Sequence, residues 1–218
     1  KKTKKITYSL FVESFKTVRD TFVQIKRYKE TLKFLFARLI YNDALITIFA
    51  FGGIYAKEVF DFTFNEIFIF GIILNVTAGI GSFLMGFLDD ILGGKKTIQI
   101  SNFGLILACL LAVGAPSINN FLIDSKTIFW IAGTLIGIFS GPNQASSRAL
   151  MSRFVPIGKE SEFFGFFAFS GKATAFIGPF LLGYFTQLFN SQRYGIAVVL
   201  LLLVLGATLL RSVDEEAG

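Results

Sequence analysis

Glu162 to Phe185 reads EFFGFFAFSGKATAFIGPFLLGYF. That is about the length a helix needs to cross the ~30 Å hydrocarbon core of a bilayer. After Glu162 the stretch holds one charge, Lys172, near its middle. An ammonium at mid-membrane costs roughly 2.5–3.5 kcal/mol on insertion scales, so it is kept where it faces a bundle interior or a watery cavity. The stretch reads as a membrane span with a reason to keep its lysine.

The rest of the chain agrees. Of 218 residues, 53% are apolar and 28 are Phe. Charges cluster and leave long stretches empty, the pattern of a polytopic membrane protein. There is no His and a single Cys, Cys109. A disulfide within the chain, a Cys/His zinc site and a Ser-His-Asp triad are excluded. No metal, cofactor or nucleic-acid partner is expected. The chain starts at Lys1 rather than Met, and a segment cut from a longer protein is expected.

Six apolar spans are predicted: Phe34–Ala56, Ile67–Leu88, Ile98–Pro116, Thr127–Ser147, Phe163–Phe185 and Tyr194–Leu210. Before them, residues 1–33 carry ten Lys/Arg against three acids. Phe11, Phe15, Val18, Phe22, Ile25 and Leu32 recur there at helical steps. Two readings fit this basic amphipathic segment: a cytoplasmic linker packed on the bundle, or an element lying on anionic headgroups. Residues 34–211 form the bundle and 212–218 a tail.

Counting Lys and Arg outside the spans gives 16 on one side of the membrane and 3 on the other. By the positive-inside rule both termini are cytoplasmic. The second and fifth spans share a motif. Thr77–Phe87 is TAGIGSFLMGF and Thr174–Tyr184 is TAFIGPFLLGY, matching at seven of eleven positions at an offset of 97. The two spans run in opposite directions, so spans one to three and four to six read as a 3+3 inverted repeat, a transporter build with its site near the midplane.

The loop after the second span reads GFLDDILGGKK from Gly86 to Lys96. Gly86 is expected to end the helix closely packed, with Asp90, Gly93, Lys95 and Lys96 shaping a tight cytoplasmic turn. Gly86, Leu88, Asp90, Gly93, Lys95 and Lys96 resemble the signature loop of the major facilitator superfamily, although Ile91 stands where that pattern has Arg. Phe36–Ala56 (FARLIYNDALITIFAFGGIYA) and Gly141–Lys172 (GPNQASSRALMSRFVPIGKESEFFGFFAFSGK) narrow the likeness. Together they resemble the vacuole-effluxer-like family of that superfamily. The resemblance implies an all-α twelve-helix transporter of which this chain is the C-terminal six, residues 1–33 being the connection between halves. The partners it implies are the lipid bilayer, a small-molecule solute and an N-terminal six-helix half. A bacterial inner membrane is the expected location.

Within the spans, Asp43 and Lys172 lie at similar depth if both helices rise 1.5 Å per residue. Two readings stand: they face the cavity, where they pair or bind substrate or proton, or they form a structural ion pair. Asn42 adjoins Asp43, and Asn143 and Gln144 follow a Gly-Pro step expected to bend the fourth span. In the superfamily the first and fourth helices of a half line the cavity, which makes these residues candidates too. The other reading of Asn143 and Gln144 is interhelix hydrogen bonding. Arg38 and Arg148, near cytoplasmic ends, either snorkel to the interface or form gating pairs with Asp89, Asp90 or Glu162. The glycines at 133, 137 and 141, like those of spans two and five, allow close helix approach.

A secondary transporter half moving a small polar solute, such as an amino acid, is the first functional expectation. A non-transporting receptor or assembly module is the alternative. A membrane enzyme ranks below both, since the chain shows no nucleophile with its base and no acid pair beyond Asp89–Asp90.

Overall fold

The computed structural model describes residues 28–118 and 124–215. Most of the basic amphipathic segment, through residue 27, lies outside the described residues. Every regular element among them is helical: α1 (Lys29–Phe60), α2 (Phe64–Leu92), α3 (Gly94–Gly114) with a 3₁₀ turn at Ala115–Ser117, α4 (Ser125–Phe154), α5 (Glu160–Ser170), α6 (Ile177–Phe189) and α7 (Gln192–Arg211).

Four of these are long and apolar enough to cross a membrane: α1, α2, α3 with its 3₁₀ turn, and α7. The expectation of six single-helix spans is met only in part. α4 has the length, 30 residues or about 45 Å, but its second half carries Ser140, Asn143, Gln144, Ser146, Ser147 and Arg148. The fifth span is two short helices, α5 and α6, rather than one. Lys29–Lys33, placed in the linker by the sequence, belong to α1.

Local signals set the ends. Thr63 and Glu66 form a capping box: the Thr63 amide donates to Glu66 Oε2 at 2.7 Å, and the Glu66 amide donates to Thr63 Oγ1 at 3.3 Å. Lys126 then ties the start of α4 to the start of α2 through Glu66 at 2.6 Å. At the same end Phe60, Phe62, Phe70, Phe129 and Trp130 pack on one another, stacked or edge to face, with the Phe60 and Phe129 ring centroids 4.5 Å apart.

α4 is central: α2 lies along one side of it and α3 along another, while α7 joins α3 to α1 and α6. Lipid tails are as apolar as Leu, so helices here associate through close packing and hydrogen bonds rather than by escaping water. The glycines supply the closeness. A Cβ on Gly137 would lie 1.9 Å from Thr77 Oγ1, and one on Gly206 2.6 Å from the Tyr41 Cβ. Gly71, Gly79, Gly86 and Gly183 have nothing within 4 Å. Cys109 is buried in this packing on α3.

At Pro142, where the sequence suggests a bend, α4 runs on without interruption. Proline has no N–H, so the carbonyl of Ile138 loses its helical donor. That carbonyl points at α2, where a Cβ on Gly81 would lie 2.0 Å from it. The missing side chain makes room for the freed oxygen.

Candidate functional site

The two copies of the repeated motif fold differently. Thr77–Phe87 lies within continuous α2, whereas Thr174–Phe176 lies in the turns that separate α5 from α6. The sixth position accounts for much of this. Ser82 keeps its amide and bonds its hydroxyl back to the Ala78 carbonyl at 2.8 Å. Its counterpart Pro179 has no amide to give to Ala175 and sits in the first turn of a new helix, where proline is tolerated. Gly171 and Gly178 weaken the helix on either side. Across the break the bonds tighten to three-residue spacing, as in Lys172 N–H to Phe169 O at 2.9 Å and Ile177 N–H to Thr174 O at 2.8 Å.

A broken helix inside a membrane exposes backbone groups that must find partners. One face of α1 supplies them. Arg38 Nη1 donates to the Phe167 carbonyl at 2.8 Å and to Ser170 Oγ at 3.0 Å. Its guanidinium also lies 3.6 Å from the Phe167 ring centroid. One turn on, Asn42 Nδ2 donates to the Gly171 carbonyl at 2.9 Å. Beside it, Asp43 Oδ2 accepts the Gly178 amide at 2.7 Å. A carboxylate there meets the positive end of α6. The brace is tight: a Cβ on Gly171 would lie 2.8 Å from Arg38 Nη1, and one on Gly178 would lie 2.1 Å from Thr47 Oγ1. Asp43 is 2% exposed, and its other oxygen, Oδ1, has no hydrogen-bond partner among the described residues.

Lys172 sits in the break itself, exposed, one residue past the carbonyl that Asn42 holds. It makes no ion pair with Asp43; the pairs among the described residues lie elsewhere. Equal depth for that pair requires an unbroken fifth span. The helix stops at Ser170, and the partner that reaches Asp43 is the restarted backbone at Gly178. Arg38 neither snorkels alone nor pairs with Asp89, Asp90 or Glu162 in the bonds above; it braces α5.

The Asn143–Gln144 pair divides. Asn143 is fully buried and its Nδ2 donates to Asn102 Oδ1 on α3 at 2.8 Å. Ser147 donates to the Asn143 carbonyl at 2.6 Å, and the Tyr41 hydroxyl shares a hydrogen bond with Ser147 Oγ at 2.8 Å. These bonds tie α1, α3 and α4 together. Gln144 is exposed on the other side of α4, and Arg148 one turn on is exposed as well.

The loop after α2 corrects two expectations. Gly86 does not end the helix; α2 continues to Leu92, and Gly93, at φ +87°, makes the turn. Asp90, which the loop pattern selects, is exposed, whereas Asp89 is buried and meets Arg153 Nη2 at 3.1 Å. Adjacent helical residues point about 100° apart, so only one of the two faces α4. Arg153 Nη1 also meets Glu215 Oε1 at 2.6 Å. Glu215 in turn accepts the amides of Gly94 at 2.9 Å and Lys95 at 3.1 Å, capping α3 from the tail. Lys95 Nζ donates to the carbonyls of Arg211 and Val213, and Lys96 is exposed. Arg153 and Glu215 escaped the sequence reading, which placed one in a loop and the other in a tail. The spacing of Arg153 from the polar half of α4 was the available signal.

The family model described as vacuole effluxer Atg22 like matches residues 1–218. The chain is 27% identical over 209 residues to the uncharacterized MFS-type transporter YxiO of Bacillus subtilis, covering 96% of this chain and 47% of that protein. It is 27% identical over 203 residues to autophagy-related protein 22 of Cryptococcus neoformans, covering 89% of this chain and 36% of that protein. To autophagy-related protein 22 of Saccharomyces cerevisiae it is 26% identical over 205 residues, covering 91% and 38%. The chain thus spans less than half the length of these relatives.

Proposed function

This chain belongs to the vacuole effluxer Atg22-like family, and from that premise we propose that it is the C-terminal half of a secondary active transporter. It moves a small polar solute, such as an amino acid, by alternating access. The observation that carries this reading is the break between α5 and α6, braced by Arg38, Asn42 and Asp43 with Lys172 exposed beside it. Discontinuous helices near the midplane are where transporters bind solute and coupling ion.

The chemistry follows from the brace. A carboxylate accepting a backbone amide makes a charge-assisted bond worth roughly 1.5–3 kcal/mol. Uptake of a proton or cation at the unpartnered Asp43 Oδ1 neutralises the carboxylate and loosens its hold on Gly178. The start of α6 then separates from α1. Lys172, next to the carbonyl that Asn42 holds, offers an ammonium to an anionic group of the solute. Gln144 and Asn42 add polar contacts.

The wider architecture belongs to the same proposal. Residues 34–211 form six spans in a 3+3 inverted repeat, with both termini cytoplasmic and residues 1–33 leading to an N-terminal six-helix half. α2 supports this, since it is the least covered of the four apolar helices and leaves Gly71, Gly79 and Gly86 open for a neighbour. The bacterial inner membrane is the proposed location, on the likeness to the Bacillus subtilis protein over 96% of the chain.

The test is transport by the full-length protein in liposomes under imposed ion gradients. Lys172→Met and Asp43→Asn should each abolish solute movement while expression and insertion survive. Normal transport by Lys172→Met removes the charge from the mechanism. A protein that binds solute yet moves none under any gradient is a receptor, and the transporter reading fails.

A further inference from the structure

α3 and α7 run antiparallel, with Lys95 beside Arg211 and Gln99 beside Ala207. Between them lies an open groove of about 460 Å³. Its mouth is basic, formed by Lys95, Lys96 and Arg211, and among the described residues no acid lines it. Below the mouth the walls are apolar: Phe103 is 62% exposed and Val204 42% exposed. The groove descends on α3 from Lys96 to Ile106, about 15 Å of helix. That is one leaflet, half of a ~30 Å hydrocarbon core. Gln99, one turn below the mouth, donates its amide to the Ala207 carbonyl at 2.8 Å.

We propose that this groove binds one anionic phospholipid, with an acyl chain along Phe103 and Val204 and its phosphate between Lys96 and Arg211. Charge decides the headgroup. Neither the Lys96 nor the Arg211 side chain takes part in an ion pair among the described residues. The adjacent Glu215 carboxylate is occupied by Arg153 and by the amides of Gly94 and Lys95. The Lys95 ammonium is fixed on the carbonyls of Arg211 and Val213, which leaves Lys96 and Arg211 to hold the phosphate. Basic pockets between helices at the membrane surface suit such headgroups. Shape decides the source, because a water-soluble phosphate would leave the apolar leaflet-deep part unfilled. The groove shares no residue with the break or its brace, and the proposal does not depend on the transport reading.

The test uses the full-length protein in mild detergent, titrated with phosphatidylglycerol or phosphatidylcholine of identical acyl chains and read by native mass spectrometry. Each cation at a membrane surface contributes about fivefold to anionic-lipid binding, so one phosphatidylglycerol should be retained roughly 25-fold more strongly. Lys96→Gln with Arg211→Gln should abolish that preference and leave phosphatidylcholine unchanged. Both side chains are surface groups, so the fold should tolerate the pair. Ala207→Phe, which fills the groove, should lower retention of both lipids, and glycerol 3-phosphate should not compete. Equal retention of the two lipids, undiminished preference in the double variant, or competition by glycerol 3-phosphate would overturn the proposal. So would failure of the full-length protein to retain any lipid that Ala207→Phe displaces, which would mean another helix covers the groove.

Discussion

At Gly178 the space left for a side chain is smaller than a methyl group. A Cβ there would lie 2.1 Å from Thr47 Oγ1 and 3.2 Å from the Asp43 carbonyl. Gly178→Ala should therefore push α6 off α1 and lower stability by about 1–3 kcal/mol, the usual cost of overpacking. Thermal unfolding in detergent measures it. Removing the Thr47 hydroxyl and methyl should restore much of the loss, so Gly178→Ala with Thr47→Ala is expected to be more stable than Gly178→Ala alone. No recovery would mean the backbone contact dominates. Asp43→Asn separates charge from geometry, since an amide oxygen still accepts the Gly178 N–H. Asp43→Asn should thus lower stability by only about 1 kcal/mol, the loss of charge from a bond that keeps its acceptor, while abolishing solute movement.

The break between α5 and α6 belongs to the element, and it is where sequence and structure part. Periodicity and length made Glu162–Phe185 a span, and its apolar character is right. What they could not convey is that Pro179 removes one helical bond while α1 offers Asn42 and Asp43 to the groups this frees. That exchange joins residues more than 120 positions apart, which no local pattern encodes. At Pro142, too, the partner lies on another helix: Gly81 accommodates the freed carbonyl and α4 stays uninterrupted. Asp43 was legible as a polar residue in an apolar span, yet its partner was not, because pairing by depth presupposes straight helices. Pro179→Ala should return a donor to the Ala175 carbonyl and favour a continuous fifth span. Solvent accessibility of cysteines placed at positions 172 and 174 should then fall, and transport with it. Unchanged accessibility would mean the glycines and the α1 brace hold the break without the proline.

For the whole molecule, one cluster joins four segments: the end of α2 through Asp89, the start of α3 through its amides, the end of α4 through Arg153, and the tail through Glu215. Exposed ion pairs contribute little singly, but a shared arginine makes these bonds a network. Asp89→Asn and Glu215→Gln should therefore be non-additive in a double-mutant cycle, with a coupling of about 0.5–3 kcal/mol. Additive losses would show two independent contacts. The loop pattern in the sequence identified the region but chose Asp90, because it fixes spacing along the chain and not the direction a helix turns its side chains. Packing at the opposite side of the molecule has a practical consequence. The chain's one cysteine, Cys109, is buried on α3, and buried thiols react poorly. Within this segment a probe cysteine introduced at the break can be alkylated against a silent background, so the unaltered segment serves as its own unlabelled reference.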